Sequence, residues 1–215
     1  MLQDADWKLT PQDIEARSFA LIDAEAGAHG WEPRSWSLVR RLVHATADFD
    51  WVKDVVVGPG ALEAGVEALR AGATVVSDTV MAQSGFNARN LARLGSRSVC
   101  FIGDPRAAEA AARSGLTRAL AAVDLALAEA PDAGYLWVFG NAPTALLRLM
   151  ERLRTEPALP RPKLVAAFPV GFVNALESKK ALAASELTFV TNLSRKGGSN
   201  VAAAALNALS LLALA

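Results

Sequence analysis

Cysteine is almost missing from this chain: one residue in 215, Cys100, beside two histidines and one tyrosine. A single cysteine excludes an intrachain disulfide and any cysteine-based metal cluster. Cys100 lies in Ser98-Val99-Cys100-Phe101-Ile102, an apolar run where a buried small hydrophobe is expected rather than a reactive thiol. Net charge is also missing, since 22 basic residues balance 22 acidic ones. No global field therefore draws the chain to nucleic acid or to a membrane surface, and neither is expected as a partner, although a local cationic pocket stays open. Long hydrophobic runs are absent too. The apolar tail Val201 to Ala215 is fifteen residues long and broken by Asn207 and Ser210, short of the roughly 20 needed to span a bilayer. A buried helix is the expectation there. The opening Met1-Leu2-Gln3-Asp4-Ala5-Asp6 is acidic and lacks an apolar core, so a secretory leader is not expected and the chain reads as cytoplasmic.

What is present is a soluble composition, 52% hydrophobic and 20% charged, in a length suited to one well-buried core. Helical and strand patterns alternate, which predicts an α/β fold with a parallel sheet in a single domain, 1–215. Thr10-Pro11-Gln12-Asp13 reads as an N-cap with proline at the first helical position, opening a helix to about Gly27. Further helices are predicted from about Glu32 to Asp48, from Gly58-Pro59-Gly60 to Gly72, and from Ala142 to Arg154. Strand candidates are Thr74 to Val76, Val99 to Ile102, Tyr135 to Phe139 and Leu164 to Phe168. Leu187 to Val190 is a weaker edge candidate, and Val55 to Val57 a further short one.

Three strand-to-helix junctions stand out: Phe139-Gly140-Asn141-Ala142-Pro143, Phe168-Pro169-Val170-Gly171-Phe172-Val173 and Arg195-Lys196-Gly197-Gly198-Ser199-Asn200. Each is an apolar run that breaks at Gly, Asn or Pro before a helical pattern. In open parallel sheets ligands bind outside such carboxyl ends, where helix N-termini offer free N–H groups to anions. Ser77-Asp78 and Gly103-Asp104-Pro105 fall at the same edge. A turn-and-cap role accounts for any one of them alone. Gly197-Gly198-Ser199 lacks the Lys-Ser/Thr ending of a phosphate loop, and Gly58-Pro59-Gly60 lacks the glycine spacing of a dinucleotide fingerprint.

Acid–base chemistry falls to few residues. His29, in Ala28-His29-Gly30, is expected at a helix end, a structural place. His44 shares a helix side with Trp36, Arg40, Val43, Ala47 and Asp48, and Asp48, one turn on, could accept its N–H; on pattern alone a structural histidine and a catalytic one both stand. Ser18, beside Arg17, shares an apolar face with Ile14, Leu21 and Ile22; its hydroxyl needs either the i−4 carbonyl or a ligand. Arg118, after Gly115-Leu116-Thr117, opens a nearly uncharged helix and suits either a carboxylate partner or the surface.

Taken together, Ile14 to Phe19, Arg41 to Trp51, Ser77 to Ala82 with Ser84-Gly85, Gly115 to Ala119, Phe139 to Leu146, Pro169 to Val173 with Glu177-Ser178-Lys179, and Arg195 to Ala204 resemble the precorrin-8X and cobalt-precorrin-8 methylmutases across nearly the whole chain. The resemblance implies a flavodoxin-like three-layer α/β/α sandwich with a mainly parallel sheet of about five strands. It implies a homodimer with sites near the interface. It also implies methyl migration from carbon 11 to carbon 12 of a corrinoid macrocycle, with no redox cofactor and no protein-bound metal. The family's essential histidine falls on His44, as an acid towards a ring nitrogen. The substrate's carboxylates call for Arg17, Ser18, Thr117, Arg118, Gly140, Asn141, Gly171, Ser178, Lys179, Gly197, Gly198 and Ser199 around an apolar floor. Asn174 and Leu176 depart from the Gly and Ala common in the family before Glu-Ser-Lys. The segments His44 to Trp51 and Arg195 to Val201 lean towards the cobalt-handling members. A non-catalytic tetrapyrrole carrier and a flavodoxin-like phosphate binder are the rival readings.

Overall fold

Six strands form one sheet in the order β1-β6-β5-β4-β2-β3, in a computed structural model that describes residues 8–129 and 134–215. The acidic residues 1–6 lie outside that range. The strands are β1 Val55–Val57, β2 Thr74–Ser77, β3 Arg97–Val99, β4 Tyr135–Phe139, β5 Leu164–Ala167 and β6 Phe189–Asn192. All neighbouring pairs are parallel except β1 against β6. The helices are α1 Pro11–Ala26, α2 Pro33–Thr46, α3 Trp51–Asp54, α4 Ala61–Arg70, α5 Val80–Ser84, α6 Ala88–Arg93, α7 Pro105–Ser114, α8 Arg118–Ala128, α9 Pro143–Thr155, α10 Ala175–Ala183 and α11 Ser199–Leu214.

All five residues of β4 are buried, because helices cover both faces of the sheet. Leu136 and Val138 feed a core with α2, α4 and α11. Tyr135, Trp137 and Phe139 point the other way, into a core with α8, α9 and α10. This alternation is the period-two geometry of a strand dividing its side chains between two layers. The helix starts follow local chemistry: Thr10 accepts from Asp13 N–H, Asp104 from Arg106 N–H and Thr117 from Leu120 N–H, each cap satisfying a donor the helix cannot. The apolar tail is α11, buried along most of its length against α2 and α4. Among the described residues no helix is long and apolar enough to cross a membrane.

Three strand assignments shift. β3 begins at Arg97 and ends at Val99, not Val99 to Ile102, since pairing with β2 runs Thr74↔Arg97, Val75↔Ser98, Val76↔Val99. At the sheet edge Arg97 is exposed, so polarity hid a true strand residue. β6 is interior rather than an edge, lying between β5 and β1. Its polar end, Thr191-Asn192, is fully buried, and Thr191 Oγ1 donates to the Ala167 carbonyl at 2.6 Å. β1 is the antiparallel edge and the sixth strand, one beyond the expected five.

The order of strands sets the functional geography. From β2 the chain passes outward to β3, then returns to β4 on the other side of β2 and continues through β5 and β6. The reversal opens a crevice between the carboxyl ends of β2 and β4, the place where ligands bind in such sheets.

Candidate active site

At the switch point, β2 ends in Ser77-Asp78 and β4 in Phe139-Gly140. The Asp78 carboxylate is buried and accepts three backbone N–H groups: Gly140 at 2.8 Å, Asn141 at 2.9 Å and Ala142 at 2.9 Å. It therefore holds the turn that leads into α9, up to the cap residue Ala142. Burial pushes the Asp78 carboxyl up, with the three donors pulling the other way. The amides at Gly140-Asn141, expected to receive substrate, are already taken.

The neighbouring helix start is free of such a plug. α11 begins at Ser199, and its cap, Gly198, has no side chain to accept from the first-turn N–H groups. Two glycines let the backbones meet here. A Cβ on Gly140 would stand 2.8 Å from Ser199 Cα, and one on Gly197 2.2 Å from the Phe168 carbonyl oxygen. Gly198 N–H donates to that same carbonyl at 2.9 Å. Ser199 Oγ lies 3.2 Å from Thr79 Oγ1, linking the α11 start to the segment after β2.

These junctions line a hollow of about 540 Å³, walled by Met81, Gly85, Gly140, Asn141, Val170 and the α11 start at Gly198-Ser199-Asn200. A second hollow of about 440 Å³ shares Gly85, Asn200 and Ala203 with it and runs to Arg41 and Ala45 on α2. The two make one groove, ending at the residue after His44. His44 itself is exposed and lines a separate depression with Ser18, Ile22, Val43 and Phe49, which shares no lining residue with the groove. Its ring meets the edge of Phe19 at 5.3 Å.

Asp48 does not serve His44. Its carboxylate accepts from Lys196 Nζ at 2.5 Å and from Asp50 N–H at 2.9 Å, and Lys196 also pairs with Asp50. Ser18 Oγ donates to the Ile14 carbonyl at 2.8 Å, which settles its two open partners in favour of the helix backbone. Arg17 is exposed on the next position of α1.

Ser178 and Lys179 lie beneath the site rather than on it. Both are fully buried; Ser178 Oγ donates to the Ala175 carbonyl at 3.1 Å. Lys179 Nζ donates to Asn192 Oδ1 at 3.0 Å and to the Lys196 carbonyl at 2.6 Å, so it braces the loop before α11. Burial brings its ammonium down to about 8. Gly171, in the left-handed half of backbone space at φ 138°, donates its N–H to the Arg195 carbonyl. Asn174, singled out in the sequence as a departure before Glu-Ser-Lys, has φ 61°, a conformation that Gly takes freely and Asn tolerates.

Thr117 and Arg118 are exposed and line none of these hollows. They open α8, which packs on the opposite face of the sheet from α2. Asp78 as the hold on the turn before α9 and Lys196 as the α2 tie were not foreseen from the sequence. The signal for Asp78 was its place directly after a strand at the switch point. Among the described residues no group of three or more His, Cys, Asp or Glu could hold a metal ion.

A doubly wound, nearly all-parallel sheet with a groove at its switch point has the architecture of the α/β proteins that bind ligands at that place. Similarity to known proteins narrows the class. The family model for precorrin-8X methylmutase matches residues 13–212, and the chain belongs to that family. The cobalt-precorrin-8 methylmutase of Salmonella typhimurium is 46% identical over 204 residues, covering 93% of this chain and 94% of the relative. The precorrin-8X methylmutase of Pseudomonas aeruginosa is 40% identical, covering 92% and 94%. The crystal structure of the Thermus thermophilus precorrin-8X methylmutase superposes with a TM-score of 0.85 at 42% identity, covering 94% of this chain and 97% of that one.

Proposed function

We propose that this isomerase moves a methyl group from carbon 11 to carbon 12 of cobalt-precorrin-8 in cobalamin biosynthesis, with His44 as the acid. The carbon 11–methyl bond breaks as the carbon 12–methyl bond forms, and substrate and product are isomers, so no oxidant or reductant is consumed. His44 donates a hydrogen bond or proton to a ring nitrogen as the conjugated system reorganises, a kind of help typically worth about 10²–10⁴-fold. The observation that carries this reading is the match of residues 13–212 to the precorrin-8X methylmutase family, with His44 exposed in a depression of its own beside Ser18 and Phe49, on the helix whose Arg41 and Ala45 line the groove. The unplugged amides at Ser199 and Asn200 suit the macrocycle's carboxylates, and Met81 and Val170 supply apolar walls.

Cobalt-containing substrate is the choice favoured by relatives of that name at 46% and 41% identity, the second from Priestia megaterium. We assign a cytoplasmic homodimer as the working form. Its support is the pair of exposed apolar residues on α1, Ile14 and Leu21, and the placement of Arg118 on the face opposite His44, from which it serves a neighbouring protomer's groove. The test is to incubate the purified protein with cobalt-precorrin-8 and follow the visible spectrum through many turnovers. Catalytic appearance of a new corrin chromophore is expected. A static shift at one equivalent means a carrier, and no change removes the tetrapyrrole altogether.

A further inference from the structure

We infer that Phe172 and Arg195 form a two-part contact for the macrocycle at the mouth of the groove, the ring lying on its apolar face and the guanidinium taking a rim carboxylate. This rests on the reading above and adds residues to it. Phe172 is 85% exposed, the most exposed of the large hydrophobic side chains among the described residues, and Val173 beside it is 78% exposed. Both loops that carry the pair are held: Gly171 N–H donates to the Arg195 carbonyl, and Lys179 Nζ and Asn192 Nδ2 both donate to the Lys196 carbonyl. The exposure thus belongs to a braced backbone.

The Arg195 guanidinium stands 5.6 Å from the Phe172 ring centroid, within the range of cation–π attraction. It makes no ion pair among the described residues. An aromatic face joined to an unpaired, planar cation matches a flat conjugated ring fringed with carboxylates: the ring stacks, and the guanidinium takes a carboxylate in a fork. The position agrees. Val170, two residues before Phe172, lines the same hollow as the open amides at Ser199 and Asn200, and Met81, 74% exposed, faces that hollow from the segment after β2. Continuity with the groove and the free positive charge favour the macrocycle over a second copy of the chain, although aromatic and arginine pairs also anchor protein interfaces.

Titration with the corrinoid product, read by visible absorbance, tests the pair alongside sedimentation to give the oligomeric state. Phe172→Ala is expected to raise Kd by about 5- to 100-fold, the loss that a removed aromatic platform causes for a stacked ring. Phe172→Tyr, which keeps the face, should bind within about twofold of wild type. Arg195→Ala should weaken binding as well, and the double variant should lose less than the product of the two single losses, since the groups touch. Single-turnover rates at saturation should stay near wild type, because both contacts are shared by ground and transition states. Unchanged Kd in Phe172→Ala with an intact assembly would refute the pair while leaving the methylmutase reading in place. A dissociated assembly with unchanged affinity per protomer would make Phe172 an interface residue and also refute it. Failure of wild type itself to bind the corrinoid would instead strike the reading beneath it.

Discussion

Lys196 Nζ donates to the Asp48 carboxylate at 2.5 Å, tying the end of the helix that carries His44 to the loop that feeds α11. The acid candidate and the uncapped start of α11 are thereby held in one frame. The Lys196 ammonium holds the Asp48 carboxyl below its ordinary value, so this contact stabilises the fold wherever Asp48 is ionised.

Asp48→Asn should cost little, within about 1 kcal/mol, because the pair is partly exposed. For a carboxyl whose folded pKa is depressed, the stabilisation is present above the unfolded value, about 3.9, and is lost as pH falls through the folded one. The deficit of the Asn variant in urea unfolding should persist from pH 7 to about 4 and close below that. Its pH–activity profile should follow wild type, since Asp48 serves Lys196 rather than His44. A displaced profile would restore Asp48 as an imidazole partner.

His44→Ala should lower kcat by about 10²–10⁴-fold with KM within a few-fold of wild type and an unchanged circular dichroism spectrum. Turnover within about tenfold of wild type, below the usual range for a general acid, would leave His44 a packing or binding residue.

Arg118→Ala should raise KM with kcat nearly unchanged, as loss of uniform binding does. If Arg118 serves the groove of a neighbouring protomer, mixing the His44→Ala and Arg118→Ala proteins and allowing subunit exchange should restore activity. One of the two sites in each mixed dimer then has both residues. No recovery after demonstrated exchange would place both residues in one protomer's site or remove Arg118 from it.

Lys179→Met should be markedly less stable than wild type at pH 7, since it strips the donor from Asn192 Oδ1 and one of two donors from the Lys196 carbonyl; a buried acceptor left unpaired costs about 1–3 kcal/mol. The folded-state ammonium, at about 8, gives up its proton before the unfolded one at about 10.4. Between those values the unfolded chain holds more protons, so this group's contribution to stability rises with pH. Thermal unfolding should therefore show the gap between wild type and Lys179→Met widening from pH 8 to 10, roughly the span between the two pKa values. A gap that narrows over that range would mean Lys179 is not the group that titrates.

The layers of this fold were legible because buried strands and amphipathic helices obey different periods. Ala145, Leu146, Leu149 and Leu153 fall on one stripe of α9 and are buried as the spacing requires. Where the sequence misled, a polar residue had a private partner. Thr191 and Asn192 look like a strand end, yet are interior because Ala167 and Lys179 satisfy them. Lys179, expected among the partners of the substrate's carboxylates, is buried for the same reason. The turn at Gly140 was recognised as an anion site, but the anion is Asp78, 62 positions earlier, and no local pattern reports so distant a pairing. Arg118 shows a different limit: periodicity places a residue on its helix, while only topology says which side of the sheet that helix covers.

The burial of α11 bears on how the chain is made. This helix is the last element in chain order, yet it packs against α2, α4, α5, α6, β4 and β5. One whole layer thus lacks its central member while everything it touches is already outside the ribosome. Contacts of such long sequence separation form late and slowly, and apolar surface left waiting for them invites association with other chains. Nascent chains stalled before Ser199 should bind chaperones, and release should follow emergence of α11 from the ribosome rather than completion of the sheet.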